Sequence, residues 1–299
     1  MTPSAKPPLS PKPIQSLGWI NGQWIESSKL SLPIDDAGLR QGVIAVERLR
    51  TYHGRLFQSP THLQRFFATI ETLSIKVELG VKEVAELLSQ LLIRNQALLD
   101  QDGDIGITVL ATPGSISRGN STATLLIHPN QIDHRKLRSR QLGGQPVWIS
   151  DTVQPPPTSW SRQIKVRSRV HYYLADQAAR EQNENAVALL VDQDGSVTET
   201  SIANVAIVRS SKIYSPAKDR VLNGVTQTVI ESIAKELAID WQYETISPDQ
   251  VRQCDELLLM GTDGGIWWGW DVQRTGSVPS DPGPIFVRLR QQLDQFVTK

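Results

Sequence analysis

IKVRSRVHYYLADQAAR, residues 164–180, and AVALLVDQDGSVTETSIANVAIV, residues 186–208, stand almost back to back. In the first, Val170, Leu174, Ala178 and Ala179 recur at helical spacing, so Arg169–Gln182 reads as a helix with that apolar side. The second opens on a continuous apolar run, Ala186–Asp192, which reads as a buried strand. Asp194-Gly195 then turns the chain into Ser196–Glu199, and Ala203–Val208 is a further strand. A helix followed by strand, turn and strand predicts a fold that mixes α and β in layers.

The same alternation continues in both directions. Upstream, Gly18–Glu26 (GWINGQWIE) carries Asn-Gly between apolar residues, a hairpin signal. Ala45–Tyr52 alternates, and His53-Gly54 turns it into Arg55-Leu56-Phe57. Ser59-Pro60 reads as an N-cap followed by Pro at the first helical position. His62, Leu63, Phe66, Phe67, Ile70 and Leu73 then give an amphipathic helix. A second helix is expected over Val81–Leu99, and strands over Ile105–Ala111 and Thr122–His128. Downstream, Pro146–Ser150, Lys212–Tyr214 and Glu256–Met260 read as strands, and Val225–Leu237 and Pro284–Val297 as helices. The expected organisation is a Pro- and Ser-rich leader over 1–17, an N-terminal α/β domain over 18–130, a polar, basic linker over 131–144 and a larger C-terminal domain over 145–299.

Composition narrows the function classes. With 299 residues, 39% of them hydrophobic and 21% charged, the chain can bury a full core. Lysine plus arginine and aspartate plus glutamate both number 31, so no global field points to nucleic acid or to an anionic membrane. The basic run His134–Arg140 (HRKLRSR) reads as a solvated linker. No apolar run reaches the ~20 residues that span a bilayer. The five histidines fall in no ligand spacing, so no metal site is expected. The single cysteine, Cys254, lies in an apolar context and reads as a packed residue. A chain that forms no intrachain disulfide suits a reducing cytoplasm.

Three blocks carry a resemblance: LPIDDAGLRQGVIAVERLRTYHGRLFQSPTHLQRF (Leu32–Phe66), IKVRSRVHYYLADQAAR (Ile164–Arg180) with DQDGSVTETSIANVAIV (Asp192–Val208) behind it, and VLNGVTQTVIESIAKELAI (Val221–Ile239). In this order the chain resembles the class-IV, fold-type IV aminotransferases that use pyridoxal 5'-phosphate (PLP), a family that includes branched-chain aminotransferases, D-amino acid aminotransferases and aminodeoxychorismate lyases. The resemblance implies two α/β domains with PLP in the cleft between them, usually in a homodimer. Lys165 matches the Schiff-base lysine, whose freed amine shuttles a proton. Glu199 matches the carboxylate beside the pyridine nitrogen. Arg65 matches the phosphate-binding arginine. Val225 and Thr226 open a helix whose N-terminus suits an anion, and Thr262 matches a threonine that closes over the phosphate.

The chain departs from the family pattern at several places. Val43-Ile44 stands for Asp-Gly, Asn223 for a proline, Gln227 for an arginine and Val170 for a tyrosine. Ile105–Ala111 has no arginine to grip a substrate carboxylate. DGGIWWGWD follows Thr262, and Trp267, Trp268 and Trp270 suit either a pocket wall or a core or dimer interface. These changes bear on substrate identity. The reading is transfer of an amino group between an amino acid, branched-chain by family prevalence, and a 2-oxo acid. Alternatives are aminodeoxychorismate lyase, giving 4-aminobenzoate and pyruvate, and a non-catalytic PLP-fold protein.

Overall fold

The computed structural model describes residues 15–115, 117, 122–273 and 281–298. Most of the expected leader lies outside them, and Leu17 already belongs to the first strand. The described strands, in chain order, are β1 Leu17–Ile20, β2 Gln23–Glu26, β3 Ala45–Tyr52, β4 Arg55–Leu56, β5 Ile105–Thr112, β6 Thr124–Gln131, β7 Gln145–Val153, β8 Val187–Val191, β9 Val197–Thr200, β10 Asn204–Arg209, β11 Lys212–Pro216, β12 Trp241–Glu244, β13 Glu256–Gly261 and β14 Gly265–Asp271. The described helices are α1 Ala37–Gln41, α2 Ser59–Thr72, α3 Val81–Arg94, α4 Gln96–Asp102, α5 His134–Gly143, α6 Val170–Gln182, α7 Val225–Glu236, α8 Pro248–Gln253 and α9 Pro284–Thr298. The chain is thus of the mixed α/β class, and none of these helices is long and apolar enough to cross a membrane.

The first sheet has the order β2-β1-β6-β5-β3-β4 and is antiparallel throughout. Asn21-Gly22 and His53-Gly54 make its two tight turns, all four residues at positive φ, the geometry that matches strand twist in two-residue hairpins. Phe66, Ile70, Leu88 and Leu91 from α2 and α3 pack against Leu49, Ile107 and Ile127 of the sheet. Each such fully buried side chain contributes about 1.5–3 kcal/mol. Along β3 the odd residues Ala45 and Leu49 join this core, while Val46 and Arg48 face open space on the other side.

The second sheet runs β12-β11-β10-β13-β14-β7-β8-β9, and β9 pairs back to β10 at Glu199 and Asn204. Six strands therefore close into a ring, filled by Val147, Leu189, Val205, Ile207, Leu257, Leu259 and Trp267. The intervening residues Leu258, Met260, Ile266 and Trp268 face outward onto α7 and α9. Strands buried on both faces explain the unbroken apolar runs. Cys254 packs in the ring cluster as a small apolar residue.

Several local expectations are corrected. Gln58, in the left-handed region, precedes α2, so Ser59 and Pro60 both lie inside its first turn and Ser59 is not a capping side chain. The long helix expected over Val81–Leu99 breaks at Asn95. Its buried carboxamide takes the Leu17 N–H at 2.8 Å and donates to the Leu17 carbonyl at 2.9 Å and the Leu91 carbonyl at 2.8 Å. Those bonds to β1 compete with helix continuation. On α6 the buried side is Ala175 and Ala179, which let the helix lie close on Ala188 and Leu190, and Val170 and Leu174 are 71% and 56% exposed. The segment expected as a linker folds as α5, capped by Asp133, whose side chain accepts from the Lys136 N–H. Trp267, Trp268 and Trp270 lie on a strand, β14, that periodicity did not reveal.

Candidate active site

A cleft lies where the two sheets meet, and the lysine-bearing segment builds it. After β7 the chain reaches across to the first sheet. The Val46 N–H donates to the Lys165 carbonyl at 2.9 Å and the Arg167 N–H to the Ile44 carbonyl at 3.0 Å, while Ala45 bridges Val166. The Lys165 N–H donates to Thr69 Oγ1 of α2 at 3.2 Å. Strand-like pairing puts every second side chain on one side. Lys165 and Arg167 share that side, and both line open space together with Arg169.

Across the cleft, Glu199 is held by three donors. The Tyr172 hydroxyl donates to Oε1 at 2.8 Å, and Asn204 Nδ2 and the Leu222 N–H donate to Oε2 at 3.1 and 3.2 Å. Tyr172 in turn accepts from Gln154 Nε2 at 3.0 Å. Burial holds the Tyr172 phenol well above its ordinary range, with Glu199 adding to the effect, so it stays a donor. Burial also pushes the Glu199 carboxyl up, while Tyr172, the Leu222 N–H and Lys165 pull it down.

Arg65 enters from α2 and is aimed by a buried acid. Its Nε donates to Glu47 Oε2 at 2.8 Å and its Nη2 to Glu47 Oε1 at 2.7 Å, and Nη1 donates to the Asn223 carbonyl at 2.6 Å. Burial alone would raise the Glu47 carboxyl. Arg65 and His62 outweigh it and hold the group far below the carboxylate range. His62 is itself lowered, by burial first and against Glu47. The neutral ring therefore donates from Nδ1 to Glu47 Oε1, 3.1 Å away. Burial lowers the Lys165 amine to about 8, with Arg65 adding to the shift and Glu47 opposing it.

The N-terminus of α7 closes the end of the cleft. Gly224 stands at the cap and offers no side chain. The Thr228 N–H makes the first bond of this turn, to the Gly224 carbonyl, so the N–H groups before it have no partner within the helix. Thr226 Oγ1 is buried without a hydrogen-bond partner among the described residues. Arg65, Lys165, Glu199, Val225, Thr226 and Thr262 all line this one cleft, which holds about 480 Å³ of empty space up to its mouth.

Residues 45–268 match the family model described as amino-transferase class IV. The chain belongs to the class IV aminotransferase family. Members use PLP, and the aminotransferase is similar in sequence to the D-alanine aminotransferase of Staphylococcus aureus (strain MW2). The two are 26% identical over 286 residues, which cover 93% of this chain and 97% of the relative. The D-alanine aminotransferase of Bacillus licheniformis is 24% identical, with 93% and 95% covered. The fold matches that of a T.th. branched-chain amino acid aminotransferase complexed with N-(5'-phosphopyridoxyl)-L-glutamate, at a TM-score of 0.83 and 23% identity, covering 95% of this chain and 94% of that one. It also matches the branched-chain aminotransferase from Thermoproteus uzoniensis with norvaline, at 0.83 and 19% identity with 95% of each covered.

The cleft's residues fit PLP. The uncapped helix end and the unpartnered Thr226 hydroxyl supply donors that a phosphate would accept from. A lysine of lowered pKa and a carboxylate fixed by three donors supply the other two contacts that the cofactor needs.

Sequence reasoning missed Glu47, His62, Tyr172 and Arg169. An acid inside the otherwise buried AVERLRTY strand was the available signal for Glu47. Of the departures, Gln227 turns away and donates to Ser215 Oγ at 2.8 Å, so it bears on packing. Val170 is exposed and takes no part. Trp267 lines a second chamber beside the cleft, while Trp268 and Trp270 pack against α7 and α9. The basic run is not simply solvated, because α5 carries Arg140 inward to 5.4 Å from the Trp267 ring.

Proposed function

We propose that this enzyme transfers an amino group between an amino acid and a 2-oxo acid, with Lys165 holding PLP. The observation that carries this reading is one cleft holding Lys165, of lowered pKa, and the three-fold bonded Glu199, with an uncapped helix N-terminus at its end. PLP, when bound, draws electron density from the substrate carbon that bears the amino group. Arg65, Thr226, Thr262 and the N–H groups of α7 from Val225 onward hold its phosphate. Glu199 holds the proton on the pyridine nitrogen through charge pairing. Once the substrate's amine has displaced it from the cofactor, the freed Lys165 amine would take the substrate Cα proton and deliver it to the cofactor carbon that the lysine had held.

Val170, Tyr173 and Leu174 leave an apolar face of α6 exposed, which supports a homodimer. The single buried cysteine is in keeping with a cytoplasmic enzyme. The test is to incubate the PLP-loaded protein with L- and D-amino acids and a panel of 2-oxo acids and to follow the new amino acid by chromatography, with aminodeoxychorismate assayed in parallel. Amino transfer supports the reading. Release of 4-aminobenzoate with no amino transfer overturns it in favour of a lyase.

A further inference from the structure

Behind the wall of the cleft, the segment that carries Lys165 meets the turn that leads into α7. That turn, residues 218–224, serves three residues of the site at once. The Leu222 N–H donates to Glu199 Oε2 at 3.2 Å, and the Leu222 carbonyl accepts from Asn204 Nδ2 at 2.9 Å. The Asn223 carbonyl accepts from Arg65 Nη1 at 2.6 Å, and Gly224 stands at the cap of α7. One 3₁₀ turn, Lys218–Arg220, is its regular structure. The backbone groups of Val221, Leu222 and Asn223 must therefore find partners elsewhere.

Gln163, two residues before Lys165, supplies several of them. Its Nε2 donates to the Lys218 carbonyl at 2.7 Å and to the Val221 carbonyl at 2.9 Å, and its Oε1 accepts from the Asn223 N–H at 3.2 Å. A carboxamide both donates and accepts, so one side chain serves two carbonyls and an N–H. Among the described residues, these are the three hydrogen bonds that join the two segments. Each segment is also tied to the turn between β8 and β9, the strand pair that ends at Glu199. Arg162 Nη2 donates to the buried Asp192 Oδ1 at 2.6 Å. Arg220 Nη1 donates to Asp194 Oδ2 at 2.6 Å and to Ser196 Oγ at 2.8 Å. Three segments thus form one junction, and Gln163 is its direct link between the lysine and the N-terminus of α7. Gln163 itself does not line the cleft, so it acts through other residues.

We propose that Gln163 is a positioning residue that sets the separation between Lys165 and the phosphate-holding end of the cleft. This rests on the reading above that Lys165 holds PLP. The aldehyde carbon and the phosphate of PLP are joined through one rigid ring. A lysine and an anion site engage both ends together only when their own separation is fixed to match. The turn before α7 carries the carbonyl that Arg65 meets and the cap of the helix, and Gln163 fastens that turn to the lysine's own segment.

The test titrates PLP and pyridoxal into the cofactor-free wild type, Gln163→Met and Gln163→Glu, following Schiff-base absorbance. Pyridoxal offers the aldehyde and the ring without the phosphate, so PLP alone reports the separation of the two ends. Methionine keeps the length and deletes all three bonds. Glutamate keeps the acceptor for the Asn223 N–H and loses both donors, and it carries the test if the methionine variant does not fold. Each substitution is expected to raise the PLP dissociation constant about tenfold or more, the scale of two or three hydrogen bonds, and that for pyridoxal less than about threefold. Hydrogen exchange over Leu222–Thr226 in the cofactor-free protein is expected to quicken in both variants. Equal losses for PLP and pyridoxal overturn the proposal, because general loosening of the fold gives that result. Unchanged PLP affinity or unchanged exchange also overturns it, while the wild-type Schiff base leaves the reading of Lys165 standing. A wild type that forms no Schiff base with either aldehyde overturns that reading and the proposal with it.

Discussion

Arg65 and Glu47 form a two-point ion pair, Nε to Oε2 at 2.8 Å and Nη2 to Oε1 at 2.7 Å, with the acid fully buried. The arginine is therefore held in one orientation at the cleft wall. Removing one partner of a buried pair leaves the other charge uncompensated and costs about 3–5 kcal/mol. Glu47→Ala is expected to lower thermal stability by that order and to weaken PLP retention at least tenfold, as read by a thermal melt and by dialysis against buffer. Unchanged PLP retention would remove Glu47 from the positioning of Arg65.

Thr226 offers a cleaner test, because its hydroxyl is buried without a partner among the described residues. Thr226→Val keeps the shape and deletes that hydroxyl. The cofactor-free protein is expected to keep or gain stability, since a buried unsatisfied polar group costs about 1–3 kcal/mol. The PLP dissociation constant is expected to rise about five- to tenfold, the worth of one hydrogen bond. A variant that binds PLP as tightly as the wild type would show that the hydroxyl does not meet the phosphate.

The lowered pKa of Lys165 has a pH signature. Its folded-state value is about 8, against the ordinary 10.5, so the fold resists the charged amine. Below about pH 8 the amine is protonated in both states and the penalty is full. Between about 8 and 10.5 the unfolded chain binds more protons than the folded one, so stability rises with pH. The cofactor-free wild type should therefore gain on the order of 2–3 kcal/mol relative to Lys165→Met across that window. Denaturant unfolding at a series of pH values reads the difference, and a flat one would contradict the buried-amine account.

Glu199 and Tyr172 are expected to act on chemistry more than on binding. Glu199→Gln should lower kcat by about a hundredfold or more, the scale of losing one fixed electrostatic partner. Tyr172→Phe, which removes one of three donors to that carboxylate, should lower it about five- to tenfold. Stopped-flow half-reactions with saturating PLP measure both. A larger loss in Tyr172→Phe than in Glu199→Gln would mean that the phenol, not the carboxylate, is the group that matters.

Much of this was legible in the residues. Asn21-Gly22, the Ala186–Asp192 run and the Lys165, Glu199 and Arg65 blocks each carry a local signal, and local signals survive folding. What escaped depends on distant partners. Asn95 ends a helix because Leu17, 78 positions away, offers its backbone. Glu47 matters because α2 brings His62 and Arg65 over it. Val170 and Leu174 look like a core stripe, but the neighbouring strands accept only the small side of α6. Arg140 reads as part of a charge run until β14 sets Trp267 beneath it.

Lys165 as the lysine that holds the cofactor is tested most directly by a covalent measurement. The PLP-loaded protein is reduced with borohydride, digested and mapped by mass spectrometry. A phosphopyridoxyl group on Lys165 alone, absent from Lys165→Ala, is the predicted result. The same group on another lysine, or an equal yield in Lys165→Ala, would contradict it.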